Sequence, residues 1–177
     1  RAAGTLTLPS RFMLVCAMNP CKCGWYGHPS GRCTCSENQV EQYMRRISGP
    51  LLDRIDMYIE VPSVEYEAMR RKDTPESSAV IRQRVNAARE VQKQRFGGTE
   101  VSCNAYMTPA MIGRYCQLDD AGERLMQGAF DRLGLTGRSH DRILRMARTI
   151  ADLEGSERIE ASHLAEAIQF RSSGILK

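Results

Sequence analysis

The stretch RSHDRILRMARTIADL, residues 138–153, reads as one amphipathic helix. Ile143, Ala147, Ile150 and Ala151 recur at helical spacing and share a face. Arg138, Arg142 and Arg145 fall on the other side by the i, i+4, i+7 rule. An apolar face of this kind needs helices to bury it, and the flanking sequence supplies them. A last helix is expected from about Glu160 to Phe170. Upstream, Asp119 or Asp120 opens a helix whose apolar face is Leu125, Met126, Ala129, Phe130 and Leu133, with Gly134 as its stop. Thr108-Pro109 starts a short helix reaching about Cys116, and Thr74-Pro75 starts one that runs to Gly97-Gly98. Everything after about Ser63 reads as helical.

The first sixty residues differ. Thr5, Leu6, Thr7 and Leu8 alternate and stop at Pro9, which predicts a short strand. Residues 12–18 form an unbroken apolar run, as expected of a strand buried on both faces, ending in Asn19-Pro20. Residues 21–35 are loop-like. Ser36 with Gln39 makes a capping-box pattern, and Val40, Tyr43, Met44 and Ile47 follow at helical spacing, with Gly49-Pro50 expected to end that helix. Ile55, Met57, Ile59 and Val61 alternate with polar neighbours, predicting a second strand closed by Pro62. The expected fold is therefore mostly α with a partial α/β layer: residues 1–62 contain the layer, 63–75 link, and 76–177 form an all-helical module.

Composition sets wider limits. With 177 residues, 42% hydrophobic and 26% charged, the chain can bury a core and is neither disordered nor collagen-like. No run of eighteen apolar residues could span a membrane. The net charge of +4 is too small to name a partner. Its distribution is more telling: residues 81–96 carry Arg82, Arg84, Arg89, Lys93 and Arg95 against Glu90, and Arg138, Arg142, Arg145 and Arg148 face only Asp141. Such clusters read as a solvated helix face or as a surface for nucleic acid.

Cys21-x-Cys23 and Cys33-x-Cys35 place four thiols within fifteen residues, and such pairs can converge into the four-sulfur tetrahedron zinc prefers. Zinc held this way is structural, since no coordination position stays open. Two disulfides or free thiols are the alternatives, and His28 is a substitute ligand. Cys16, Cys103 and Cys116 form an odd remainder that suits a reducing cytoplasm. Trp25 and Tyr26 at the turn could stack on a base or cover a loop lacking its own core.

The strings FMLVCAMNP (12–20), CKCG, CTC, SGPLLDRIDMYIEVP (48–62) and GLTGRSHDRILRMARTIADLEGSERIEASHLAEAIQFR (134–171) closely resemble the magnesium-chelatase-like AAA+ ATPases of the ComM (YifB) family. The similarity covers nearly the whole chain. It implies a truncated AAA+ core with a cysteine loop, followed by an AAA+ helical lid. It also implies site residues: Asn19 as sensor 1, Arg54 of LLDRID as an arginine finger reaching a neighbouring subunit's nucleotide, and Arg138, with Arg142 second, as sensor 2. A guanidinium suits the finger role because its planar donors spread over charge building on phosphate oxygens. The bland alternatives are a turn at Asn19-Pro20, a local Arg54 salt bridge to Asp53 or Asp56, and a solvated arginine face.

The resemblance further implies ATP and Mg2+ as cofactors of a parent motor, a homo-hexamer as its assembly, and branched or single-stranded DNA as its partner in recombination or natural transformation. The chain has no Gly-x-x-x-x-Gly-Lys-Ser/Thr and no strand ending in Asp-Glu. The expectation is thus a piece of a longer protein, monomeric and without ATPase activity on its own. A chelatase motor subunit and a stand-alone zinc-ribbon module remain the competing readings.

Overall fold

The computed structural model describes residues 12–64 and 75–171, together with Thr5, Leu8, Ser10, Tyr66 and Arg70. The chain divides into two compact units, Arg1–Arg46 and Ile47–Lys177.

Among its described residues, the first unit holds the cysteine loop and one helix, α1 (Glu37–Met44). The capping box forms as expected: Gln39 N donates to Ser36 Oγ at 3.4 Å, and Ser36 N donates to Gln39 Oε1 at 3.0 Å. Of its described apolar residues only Cys21 and Val40 are buried. The helix ends at Met44, before Gly49-Pro50. Gly49 and Pro50 instead open the next helix, because Ser48 caps it and proline at a first turn sacrifices an N–H that has no intrahelical acceptor anyway.

The second unit contains α2 (Gly49–Arg54), α3 (Ser78–Arg95), a 3-10 turn (Asn104–Tyr106), α4 (Pro109–Tyr115), α5 (Asp120–Leu133), α6 (Gly137–Glu154) and α7 (Ala161–Gln169). Side-chain caps start most of them: Ser77 for α3, Thr108 for α4, Asp119 for α5 and Thr136 for α6. The Ser77 cap stands in place of Thr74, which lies outside the described residues. Gly134, at φ 59°, ends α5 in the left-handed region. α6 lies at the centre, packed against α3, the 3-10 turn, α4 and α7, while α5 packs on α7. Ile143, Ala147, Ile150 and Ala151 are all buried there, with Phe96, Met107, Ile112 and Leu164 closing over them. The N-terminal half of α3 stands apart: Ile81 and Val85 are exposed, and burial begins at Ala88.

The mostly-α character is as expected, but no strand forms among the described residues. Part of the first expected strand, Leu6 and Thr7, lies outside them. Residues 12–18 adopt no regular element and make no backbone hydrogen bond to another described residue, and Phe12, Met13, Leu14, Val15 and Met18 are exposed. A strand exists only when its N–H and C=O groups are taken by a neighbour. Residues 55–61 fail for a different reason. Their backbone is pinned from the helical side: Tyr58 N donates to Phe170 O at 2.8 Å, and Ile55 O accepts from Arg171 Nη1.

Candidate metal centre and arginine-bearing segment

The four loop thiols converge. Cys21 and Cys23 sulfurs stand 3.3 Å apart, Cys21 and Cys33 3.8 Å, and Cys23 and Cys33 3.6 Å. With Cys35 included, all four lie within 4.8 Å of one another, and no disulfide joins the described cysteines. Four sulfurs bound to one zinc at 2.3 Å stand about 3.8 Å apart, so the cluster has the right size and donor set. Backbone amides of Trp25 and Thr34 directed at Cys23 hold its thiol down to about 6. Cys33 also gains from the Cys35 amide, but lost hydration and the crowding Cys23 and Cys21 sulfurs push it up to about 11. The surroundings favour the thiolate at Cys21 and Cys23 and the thiol at Cys33 and Cys35, a split that a divalent cation bound to all four would relieve.

Three turns shape the loop: Gly24 N donates to Cys21 O, His28 N to Trp25 O and Gly31 N to His28 O. His28 is not a fifth candidate in the cluster. Its Nδ1 accepts from the Ser30 amide at 3.0 Å, and its ring meets Trp25 edge-on at 4.9 Å. Arg32 lies over the Trp25 ring at 5.2 Å. A cleft of about 640 Å³ beside Cys23 and Cys35 is lined by Lys22 and Arg46 among others. Those two cations match the double negative charge that four thiolates around one zinc carry. Asn19 is exposed at the entrance to the loop, its amide lying near Gly24. The sheet edge expected to hold it is not formed.

In the second unit, Arg54 is the last residue of α2 and is exposed. Its Nη1 donates to Pro50 O at 2.7 Å, one turn back. Neither neighbouring carboxylate pairs with it. Asp53 forms an ion pair with Arg171 at 3.5 Å and Asp56 one with Arg142 at 3.4 Å. Arg142 Nη1 also donates to Asp53 O, so the guanidinium is engaged with α2. Arg138, at the second position of α6, is exposed, and no carboxylate among the described residues pairs with it. Asp141 meets His140 at 3.2 Å instead.

The arginine cluster is therefore not one solvated stripe. Arg148 is buried and donates to Asp152 Oδ1 at 3.0 Å and to the carbonyls of Glu157 and Ser156. Arg95, from the basic stretch of α3, closes on the same carboxylate through two bonds of 2.7 and 2.5 Å. Asn104 Nδ2 adds a third partner at 2.8 Å. Sequence reading missed Asp152, Arg171 and Tyr58. Most of their partners lie far along the chain, and the local signals were Asp152 four residues after Arg148 and Tyr58 six after Leu52.

A family model described as magnesium chelatase, subunit ChlI C-terminal, matches residues 75–171, and one described as magnesium chelatase, subunit ChlI, matches residues 1–69. The chain is 40% identical over 173 residues to the competence protein ComM of Haemophilus influenzae, covering 97% of this chain and 33% of that protein. It is 39% identical to YifB of Escherichia coli and 37% identical to YifB of Salmonella typhimurium, each over 173 residues with the same coverage. The chain thus spans about a third of the length of these relatives. Helical layer, cysteine cluster and matched residues together make this chain a member of the magnesium-chelatase-like family that includes ComM and YifB.

Proposed function

We propose that the chain works within a longer ATP-driven motor of this family, as the end of the nucleotide-binding core (residues 1–62), a connector (63–75) and the helical lid (76–177). ATP and Mg2+ bind between subunits of a homo-hexamer, and the triphosphate cradle comes from sequence other than this. Arg54 acts on the nucleotide of the neighbouring subunit, where its guanidinium offsets charge building on the transferred phosphoryl group. Asn19 orients the attacking water in its own subunit, and Arg138 reads phosphate. Zinc at Cys21, Cys23, Cys33 and Cys35 shapes the loop and takes no part in chemistry. The motor moves DNA in the cytoplasm, in keeping with a relative named for competence.

The observation that carries this reading is Arg54. Both acids beside it are bound by other arginines, so its charge is not neutralised locally. Among the described residues, no helix is long and apolar enough to cross a membrane. A chelatase motor is the second reading, favoured by the matched family descriptions. Binding of forked DNA, against stimulation by a porphyrin substrate, separates the two in the full-length protein.

The test is ATP hydrolysis by the full-length protein. Arg54→Ala is expected to lower turnover at least tenfold. Doping Arg54→Ala subunits into wild-type rings should cut activity more than in proportion, because each lends its arginine to a neighbour. The 177-residue chain alone should hydrolyse nothing. Unchanged turnover by Arg54→Ala would sink the assignment.

A further inference from the structure

The last carbonyls of a helix have no intrahelical partner, and a six-residue helix such as α2 has little else to hold it. Here those carbonyls are taken by donors that include two arginines from distant sequence. Leu52 O accepts from the Tyr58 hydroxyl, Asp53 O from Arg142 Nη1, and Ile55 O from Arg171 Nη1. The same two guanidinium groups hold the side chains of Asp56 and Asp53, at 3.4 and 3.5 Å. The Arg171 side chain is 7% exposed, reaches Ser139 Oγ on α6 at 3.4 Å, and lies 5.7 Å from the Tyr58 ring. Two cations at the carbonyl end of α2 also match the negative pole of its peptide dipoles.

The geometry points to Arg142 and Arg171 as positioning residues for Arg54. They fix the segment on either side of it and consume Asp53 and Asp56, which would otherwise attract its guanidinium. Arg54 is then left as the outward charge of a segment fastened to α6 and to the end of α7. Its direction follows those helices, so any motion of the helical layer is felt at the fingertip. Arg142, which donates to the Asp53 carbonyl and pairs with Asp56, belongs to this clamp in place of a nucleotide contact. The inference rests on the reading of Arg54 as a finger, and the tests keep the two apart.

The first test uses the 177-residue chain and amide hydrogen exchange. Arg171→Gln and Arg142→Gln should each speed exchange at Ile55 and Tyr58 at least tenfold while leaving α6 protection unchanged. Unaltered exchange at both amides overturns the clamp whatever Arg54 does. The second uses the full-length motor. Arg171→Gln should lower kcat for ATP about tenfold with KM within twofold, since a misplaced group loses rate before it loses substrate binding. Arg171→Lys, which keeps one donor for the Ile55 carbonyl, should recover part of it. If Arg54→Ala abolishes turnover while Arg171→Gln and Arg142→Gln leave kcat intact, the clamp falls and the finger stands. If a variant raises KM alone, it contacts nucleotide and the positioning role is wrong.

Discussion

Stripping zinc from the purified chain is expected to unfold residues 21–46 and leave 75–171 intact. The first unit buries only Cys21 and Val40 of its described apolar residues, far too little to offset the ordering of a loop and a two-turn helix. Structural zinc sites supply apparent binding energies of about 10–16 kcal/mol in comparable peptides, and that energy is folding energy. The second unit has its own continuous core from Phe96 to Ala167 and owes the thiols nothing. Trp25 is the one tryptophan of the chain, so its emission reports on the loop alone. A chelator should shift that emission to the red and release four titratable thiols and about one zinc per chain, with little change in helix content. Unchanged Trp25 emission, together with no zinc by elemental analysis, would refute the metal assignment.

The second large effect is expected at Asp152. Its side chain is 0% exposed, and it faces Arg148 at 3% and Arg95 at 13%. Asp152→Ala leaves two guanidinium groups in the core without their carboxylate, which costs about 3–5 kcal/mol. The urea midpoint of the helical unit should fall accordingly, and Trp25 emission should not follow it. Loss of hydration by itself would raise the pKa of this carboxyl. The bonds from Arg95 and Asn104 and the charge of Arg148 outweigh it and hold Asp152 below the usual carboxylate range. The sign follows: its contribution is complete above the unfolded value of about 4 and is lost as pH falls through the lower native value. In the Asp152→Ala variant that part of the acid sensitivity should vanish. An unfolding free energy within about 0.5 kcal/mol of wild type, on the order of a surface change, would mean the three partners are satisfied without it.

The helical half was legible because its signals are local. Thr108 and Asp119 cap the next turn, Gly134 stops one, and the apolar spacing of 143–151 needs no distant residue to be read. The cysteine cluster was legible for the same reason, since both thiol pairs sit on one short loop. Strands are a different matter. Alternation at 55–61 marks a backbone suited to pairing, yet whether it pairs depends on a neighbour, and here Arg171 and Phe170 hold it instead. The arginines were misjudged as a group because charge counting ignores direction. Arg148 and Arg95 turn inward to a carboxylate 4 and 57 residues away, and Arg142 reaches 89 residues back to Asp53. Of that cluster and LLDRID, Arg138 and Arg54 keep outward charges with no carboxylate partner among the described residues, whereas Arg142, also named by the family resemblance, is engaged with Asp53 and Asp56.

The unpaired run at 12–18 has a consequence for the life of the chain outside its intended surroundings. FMLVCAM carries no charge, no proline and no glycine, and its side chains face solvent. Segments of this kind stack with copies of themselves into cross-β fibrils, every free N–H finding a carbonyl on the next molecule. The isolated chain should therefore nucleate thioflavin-positive aggregates at high concentration, and Val15→Lys, which puts a charge in the middle of the run, should delay them without touching either folded unit. Unaltered lag times would move the blame elsewhere. In the cell, the same seven residues would be the first part of the chain that a chaperone recognises.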